Sequence, residues 1–152
     1  MEIRKAYLSE IEELAAIRTE FINSLISSEM TISEEFETNA NAYMRKHMAD
    51  DSMVSWVAVE DGKIVSTAMV CYYELLPIML NQSGKYGYIY NVYTLPEYRK
   101  RGLASQLLNK IKEEAKERQI GQLQLRATEM GKLLYEKLGF ELLNREMAYI
   151  VI

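Results

Sequence analysis

Tyr88-Ile89-Tyr90-Asn91-Val92-Tyr93-Thr94-Leu95-Pro96-Glu97-Tyr98-Arg99-Lys100-Arg101-Gly102-Leu103-Ala104 runs from an aromatic, β-branched stretch through a proline into a basic triplet and a glycine. Its first seven residues predict a strand. Pro96 ends that strand, because it cannot donate to a ladder and keeps Leu95 out of the helical region. Beyond it, Leu103, Leu107, Leu108, Ile111 and Ala115 recur at helical spacing. A strand thus hands over, through a turn, to a helix N-terminus. The first turn of a helix leaves N–H groups unpaired, and the helix dipole makes that end partly positive. Gly102 lets an anionic group approach the backbone, and Arg99, Lys100 and Arg101 add cationic side chains. The combination suits a diphosphate. It is not a P-loop, since no Gly-Lys-Ser/Thr follows, and G-x-G-x-x-G is missing as well.

Arg99-x-x-Gly102-x-Ala104 after a proline-interrupted strand resembles the Q/R-x-x-G-x-G/A motif of the GNAT acetyltransferase superfamily. In that family the loop holds the pyrophosphate of acetyl-CoA. Leu134-Tyr135-Glu136-Lys137-Leu138-Gly139-Phe140 resembles a second signature of the family, in the family's order and at a typical separation.

Composition sets bounds around these motifs. The chain has 152 residues, a length that suits one domain, and is 49% hydrophobic and 26% charged, as in ordinary globular proteins. Eighteen basic residues against 22 acidic ones give a net charge of −4, which disfavours a nucleic-acid partner bound by bulk charge. The basic triplet is therefore a local feature. A single cysteine, Cys71, excludes an internal disulfide and fits a reducing cytoplasm. Cys71 and the sole histidine, His47, cannot by themselves make a structural zinc site, so no metal is expected. No signal peptide opens the sequence and no apolar run approaches membrane length, so no membrane partner is expected.

Taken in order, Glu2–Ala6 is a short candidate strand, and Ser9-Glu10-Ile11-Glu12 reads as a capping box. Ile11, Leu14, Ile17, Phe21 and Leu25 predict an amphipathic helix to about Ile26. A second helix is expected from Thr31-Ile32-Ser33-Glu34 to about Met48, ended by Asp50-Asp51. Met53–Val59 and Lys63–Tyr73 predict a hairpin around Asp61-Gly62. Residues 74–85 read as a loop, broken by Pro77, whose apolar residues lie near a substrate pocket or on the edge of the core. Gln122–Ala127 alternates as a strand, and Glu129–Leu138 reads as a helix capped by Gly139. Phe140–Leu143 and Met147–Ile152 are the expected last strand or strands, bent near Asn144. The order β-α-α-β-β-β-α-β-α-β is an α/β pattern. It matches the GNAT fold, which implies a mixed central sheet of about six to seven strands flanked by about four helices, over a single domain spanning 1–152.

The resemblance also implies a site. In the family the strand before the motif splays from its neighbour, and acetyl-pantetheine lies in the gap. By position Val92, Tyr93 and Thr94 would pair with it, and the same N–H groups would polarise the thioester carbonyl. Arg99, Lys100, Arg101, Gly102, Leu103, Ala104 and Ser105 would cradle the pyrophosphate. Tyr135 matches the family tyrosine assigned as the general acid that protonates the departing CoA thiolate. Where the family often has an asparagine on the pantetheine arm, this chain has Thr128. Some branches carry a glutamate base on the strand; here that position is Tyr88. Without a bulge, Tyr86, Tyr88, Tyr90, Val92 and Thr94 share one strand face. They would line an acceptor pocket or form a packed aromatic ladder. Glu74, Asn91 and His47 are other candidates for the base, and none is singled out.

The expected reaction is direct acetyl transfer from acetyl-CoA to the primary amine of a small molecule or peptide, through a ternary complex. Cys71, in mid-strand, reads as a core residue rather than a nucleophile. A non-catalytic acyl-CoA-binding domain is the rival reading; it would keep the cradle but would have no need of Tyr135. Acyl chains longer than acetyl are weakly opposed by the bulk of Tyr93 and Tyr135. Family members are often dimers, which makes a homodimer an expectation of the resemblance.

Overall fold

The computed structural model describes residues 1–143 and 145–151. The chain opens with strand β1 (Glu2–Lys5) and helices α1 (Ile11–Leu25) and α2 (Glu34–Ala49). Strands β2 (Met53–Glu60), β3 (Lys63–Glu74) and β4 (Lys85–Thr94) follow, then α3 (Leu103–Glu117), β5 (Gln122–Leu125) and α4 (Glu129–Lys137). The strands form one sheet in the order β1-β2-β3-β4-β5. Neighbours run antiparallel except β4 and β5, which are parallel and joined through α3. The β2–β3 turn places Asp61 (φ 50°) and Gly62 (φ 76°) both in the left-handed region, as a tight hairpin turn matching strand twist requires.

Two apolar layers cover the sheet. On one face Ile11, Leu14 and Ile17 of α1 and Met44 of α2 pack over Met53, Val57, Met69 and Cys71. On the other, Leu107, Leu108 and Ile111 of α3 pack over Val54, Ala68, Val70 and Ile89, with Leu134 and Tyr135 of α4 and the following Leu138 alongside. Glu114 of α3 is buried, yet it is fully engaged. It accepts from Lys5 Nζ at 2.7 Å, Trp56 Nε1 at 2.9 Å and Arg118 Nη2 at 2.9 Å. Those bonds tie α3 to β1 and β2.

Three local expectations are corrected. The capping box forms two residues earlier than Ser9-Glu12, between Tyr7 and Glu10. A short 3₁₀ turn, Leu8–Glu10, precedes α1, and the Glu10 carboxylate accepts from the Tyr7 N–H at 2.7 Å while Arg4 holds it from behind. The Arg4 pair gives Glu10 a reason to fold back that Glu12 lacks. Second, among the described residues the sheet has five strands, not six to seven. Phe140–Leu143 and the described part of 147–152 carry no strand, while Asn144 and Ile152 lie outside the described residues. Leu142, Leu143, Met147, Tyr149, Ile150 and Val151 are instead exposed. Their β-propensity expresses fit to a half-buried pleated surface, and here they meet no such surface. Third, in the 74–85 loop, Leu75, Leu76, Ile78, Met79 and Leu80 are exposed rather than packed on the edge of the core. The loop is held from its polar end: Asn81, buried, donates to Lys85 O and accepts from Ser83.

Candidate active site

β4 and β5 pair only over Tyr86↔Gln122 to Ile89↔Leu125. β5 then ends, while β4 continues to Thr94 with β3 as its sole described partner strand. The parallel pair therefore splays beyond Ile89. From Tyr90 to Thr94, β4 offers an edge with no strand on the β5 side among the described residues.

A bulge sits at the start of that edge. Met69 pairs with Tyr90 and Thr67 with Tyr93, so Ala68 faces two residues, Asn91 and Val92. Asn91 takes up the extra length with φ 54°, a left-handed conformation that asparagine tolerates better than most residues. The bulge overturns the expectation of one uninterrupted face. Val92 packs with the α3-side cluster, while Tyr93 belongs to the α1-side cluster, on the face of Tyr90. The amide of Asn91 is buried with neither Nδ2 nor Oδ1 partnered among the described residues.

The strand leads directly into the glycine turn. A 3₁₀ turn, Pro96–Tyr98, starts on the proline that ends β4. Lys100 (φ 61°) and Gly102 (φ 73°) both adopt left-handed backbone, and Gly102 is the N-cap of α3. Among the described residues no side chain caps this helix, which leaves its first-turn N–H groups without a side-chain partner. A Cβ at Gly102 would meet nothing within 4 Å, leaving that face of the turn open. Two of the three basic side chains are folded back rather than extended. Arg99 Nε donates to Thr94 O at 3.0 Å with its guanidinium over the Tyr93 ring, and Arg101 Nη2 donates to Glu97 O at 3.3 Å over Tyr98. The structure thus brings Tyr93, Thr94, Arg99 and the α3 N-terminus into one place.

Tyr135 lies on α4, on the same side of the sheet as Val92. Its ring meets Phe140 edge-on at 6.0 Å and lies against Gly131, where a Cβ would come within 2.8 Å of Cε2. Its hydroxyl bonds to no described residue, and burial pushes the phenol above its ordinary range, so it stays protonated at neutral pH. Thr128 is the N-cap of α4, its Oγ1 accepting from the Gly131 N–H at 3.2 Å. The other suggested bases are scattered. Glu74 is exposed at the end of β3 opposite Lys85, and His47 stacks on Tyr43 and bonds Ser52.

On the α1–α2 face, beside this edge, lies a cavity of about 250 Å³ lined by Arg18, Tyr43, Met44, Met69, Cys71 and Tyr90, among others. Arg18 was not singled out from the sequence. The signal was available: it falls four residues after Leu14 and three before Phe21, within the apolar stripe of α1. Tyr73 closes the far end of the face, stacking on Tyr86 at 5.3 Å and donating to Gln124.

Comparison with known proteins adds the following. The model of the Acetyltransferase (GNAT) family matches residues 18–140. A predicted acetyltransferase from Clostridium acetobutylicum, solved with acetyl-CoA, is 31% identical, with a TM-score of 0.88 over 98% of this chain and 95% of that one. A GCN5-related N-acetyltransferase from Ralstonia eutropha is 27% identical, with a TM-score of 0.88 over 98% of this chain and 97% of that one. An aminoglycoside N-acetyltransferase in complex with CoA shares the fold at 16% identity, with a TM-score of 0.75 over 99% and 93% of the two chains. No curated protein matches the sequence.

Proposed function

Since the chain belongs to the GNAT acetyltransferase family and takes its acetyl group from acetyl-CoA, we propose that it acetylates a primary amine by direct attack within a ternary complex. The observation that carries this reading is the continuity of two open features. The unpaired edge of β4, Tyr90 to Thr94, runs within a few residues into the uncapped N-terminus of α3 at Gly102. An extended thioester arm needs the first, and a pyrophosphate needs the second.

In this reading the backbone of Val92, Tyr93 and Thr94 pairs with the pantetheine arm and holds the carbonyl oxygen as it gains charge. The N–H groups of Leu103, Ala104 and Ser105 receive the pyrophosphate, with Gly102 giving access and Arg99, Lys100 and Arg101 supplying positive charge. Thr128, whose hydroxyl proton is not used by the cap, stands beside the arm. The amine nitrogen bonds to the carbonyl carbon and the C–S bond breaks. Tyr135 gives its proton to the departing thiolate, and the nitrogen loses one to solvent. Tyr135 also favours catalysis over mere acyl-CoA sensing, since a sensor has no thiolate to protonate.

The test is thermal stability with acetyl-CoA, CoA and ATP, because a ligand of the folded state alone raises the midpoint. Acetyl-CoA and CoA should raise it and ATP should not. No shift with any of them would sink the reading.

A further inference from the structure

Among the described residues, the cavity beside β4 is lined by one charged group, Arg18, and that group has no countercharge. Arg18 projects from the apolar stripe of α1 and is half-buried, and no carboxylate among the described residues pairs with it. Its guanidinium carbon lies over the Phe36 ring, 5.2 Å from the centroid. Burial pulls its pKa down, the direction expected of a cation that lacks a partner. Acidic residues are not scarce nearby. Glu20 on the same helix is spent on the Tyr93 hydroxyl at 3.1 Å, and Glu34, Glu35 and Glu37 all sit in the first turn of α2. The fold places none of them against Arg18. Keeping a guanidinium half-desolvated and unpaired is costly, and an anion that arrives with a ligand removes that cost.

The rest of the lining defines the remainder of the ligand. Met44 and Met69 are apolar and deformable, Tyr43 and Tyr90 are aromatic, and Cys71 is a buried thiol. Tyr90 is also the first residue of the unpaired β4 edge, so one end of the cavity adjoins the backbone assigned above to the thioester. We propose that this cavity is the acceptor site and that Arg18 selects a small primary amine that also carries a carboxylate, an apolar α-amino acid being the class that fits. The assignment rests on the acetyl-transfer reading. A carboxylate matches one guanidinium charge for charge and can bond it through both oxygens. A phosphate dianion would keep uncompensated charge in an apolar site, and a polycationic amine would face a like charge.

The experiment follows CoA thiol release by the full chain with three pairs of acceptors: methionine and methioninamide, leucine and leucinamide, phenylalanine and phenylalaninamide. Each pair differs only at the carboxylate. The amides keep more of their amine unprotonated at neutral pH, a bias that runs against the expected result. The wild type should prefer at least one acid by about tenfold or more in kcat/KM. Arg18→Met should lose that preference, with most of the loss in KM for the acid. Arg18→Lys should fall between, because its ammonium keeps the charge but lacks the planar fork. Equal or better use of all three amides by the wild type overturns the proposal, as does a preference that survives in Arg18→Met. Faster turnover of O-phosphoethanolamine than of any acid overturns the carboxylate assignment, and so does failure of all three acids to react in an enzyme that acetyl-CoA stabilises. Absence of stabilisation by acetyl-CoA would instead remove the acetyl-transfer reading beneath it.

Discussion

Tyr90 and Tyr93 lie on the same face of β4 although three positions separate them, an odd number that would put them on opposite faces of a regular strand. The extra residue is Asn91, and its left-handed φ of 54° resets the alternation. One residue therefore gives the acceptor-side face both tyrosines and sends Val92 towards α3 and α4.

Asn91→Gly and Asn91→Val should separate the backbone from the side chain. Glycine adopts positive φ freely and removes the unpartnered buried amide, so stability should hold or rise slightly. Valine must be forced into the left-handed region and should cost roughly 1–2 kcal/mol in urea denaturation.

At Gly102 two effects are distinguishable. The φ of 73° penalises any side chain, so Gly102→Ala should lower stability by about 1 kcal/mol although its Cβ meets no protein atom. Gly102→Glu carries the same strain but also aims a negative charge at the proposed pyrophosphate site. Calorimetric titration with CoA should show far weaker binding for the glutamate variant than for alanine.

Tyr135→Phe keeps the ring against Gly131 and Phe140 and deletes only the hydroxyl, which bonds to no described residue. Stability should barely change. Turnover should fall roughly a hundredfold or more, as expected for loss of a general acid, while CoA affinity stays close to that of the wild type. Parallel losses in both would remove the acid role.

Thr128→Ala should cost about 1 kcal/mol, since its hydroxyl caps α4 through the Gly131 N–H. If Thr128 also touches the pantetheine arm, KM for acetyl-CoA should rise in the same variant, and Thr128→Ser should restore both.

Glu114 sets a pH dependence of stability. Burial alone would push its carboxyl up, but hydrogen bonds from Lys5, Trp56 and Arg118 outweigh burial and hold it below the ordinary value of 4.5. The unfolded chain therefore binds more protons here as pH falls below about 4.5. The stabilisation is complete above that pH and is lost as pH drops through the depressed folded value. Glu114→Gln should flatten this part of the acid-unfolding profile. Glu114→Leu leaves Lys5 and the partly buried Trp56 indole N–H without their acceptor, while Arg118 keeps Asp51, and should cost about 1–3 kcal/mol at neutral pH.

The strand-turn-helix core of the fold was legible because its signals are local. Pro96, Gly102 and the leucine stripe of α3 each act within a few residues, and the observed helix begins at Leu103 as the stripe predicts. Gly139 likewise closes α4 where expected, with a left-handed φ of 92°. What the sequence hid depends on registry or distance. The bulge at Asn91 reflects how β4 pairs with Ala68 of β3, and no local residue pattern marks it. The significance of Arg18 lies in the absence of a partner from α2 and the sheet, which only the packed structure reveals. The exposed C-terminal segment misled because its residues favour strands wherever a surface is available.

Cys71, the only cysteine, is 9% exposed at the floor of the cavity, and burial raises its thiol pKa above the ordinary value. Attack on a disulfide reagent needs the thiolate, so this enzyme contributes little colour of its own when aromatic disulfides report free CoA. Slow alkylation of the same sulfur becomes a built-in gauge of occupancy, since a molecule seated over Tyr90 and Met69 would shield it further. One side chain thus keeps the product assay clean and offers a chemical footprint of the acceptor.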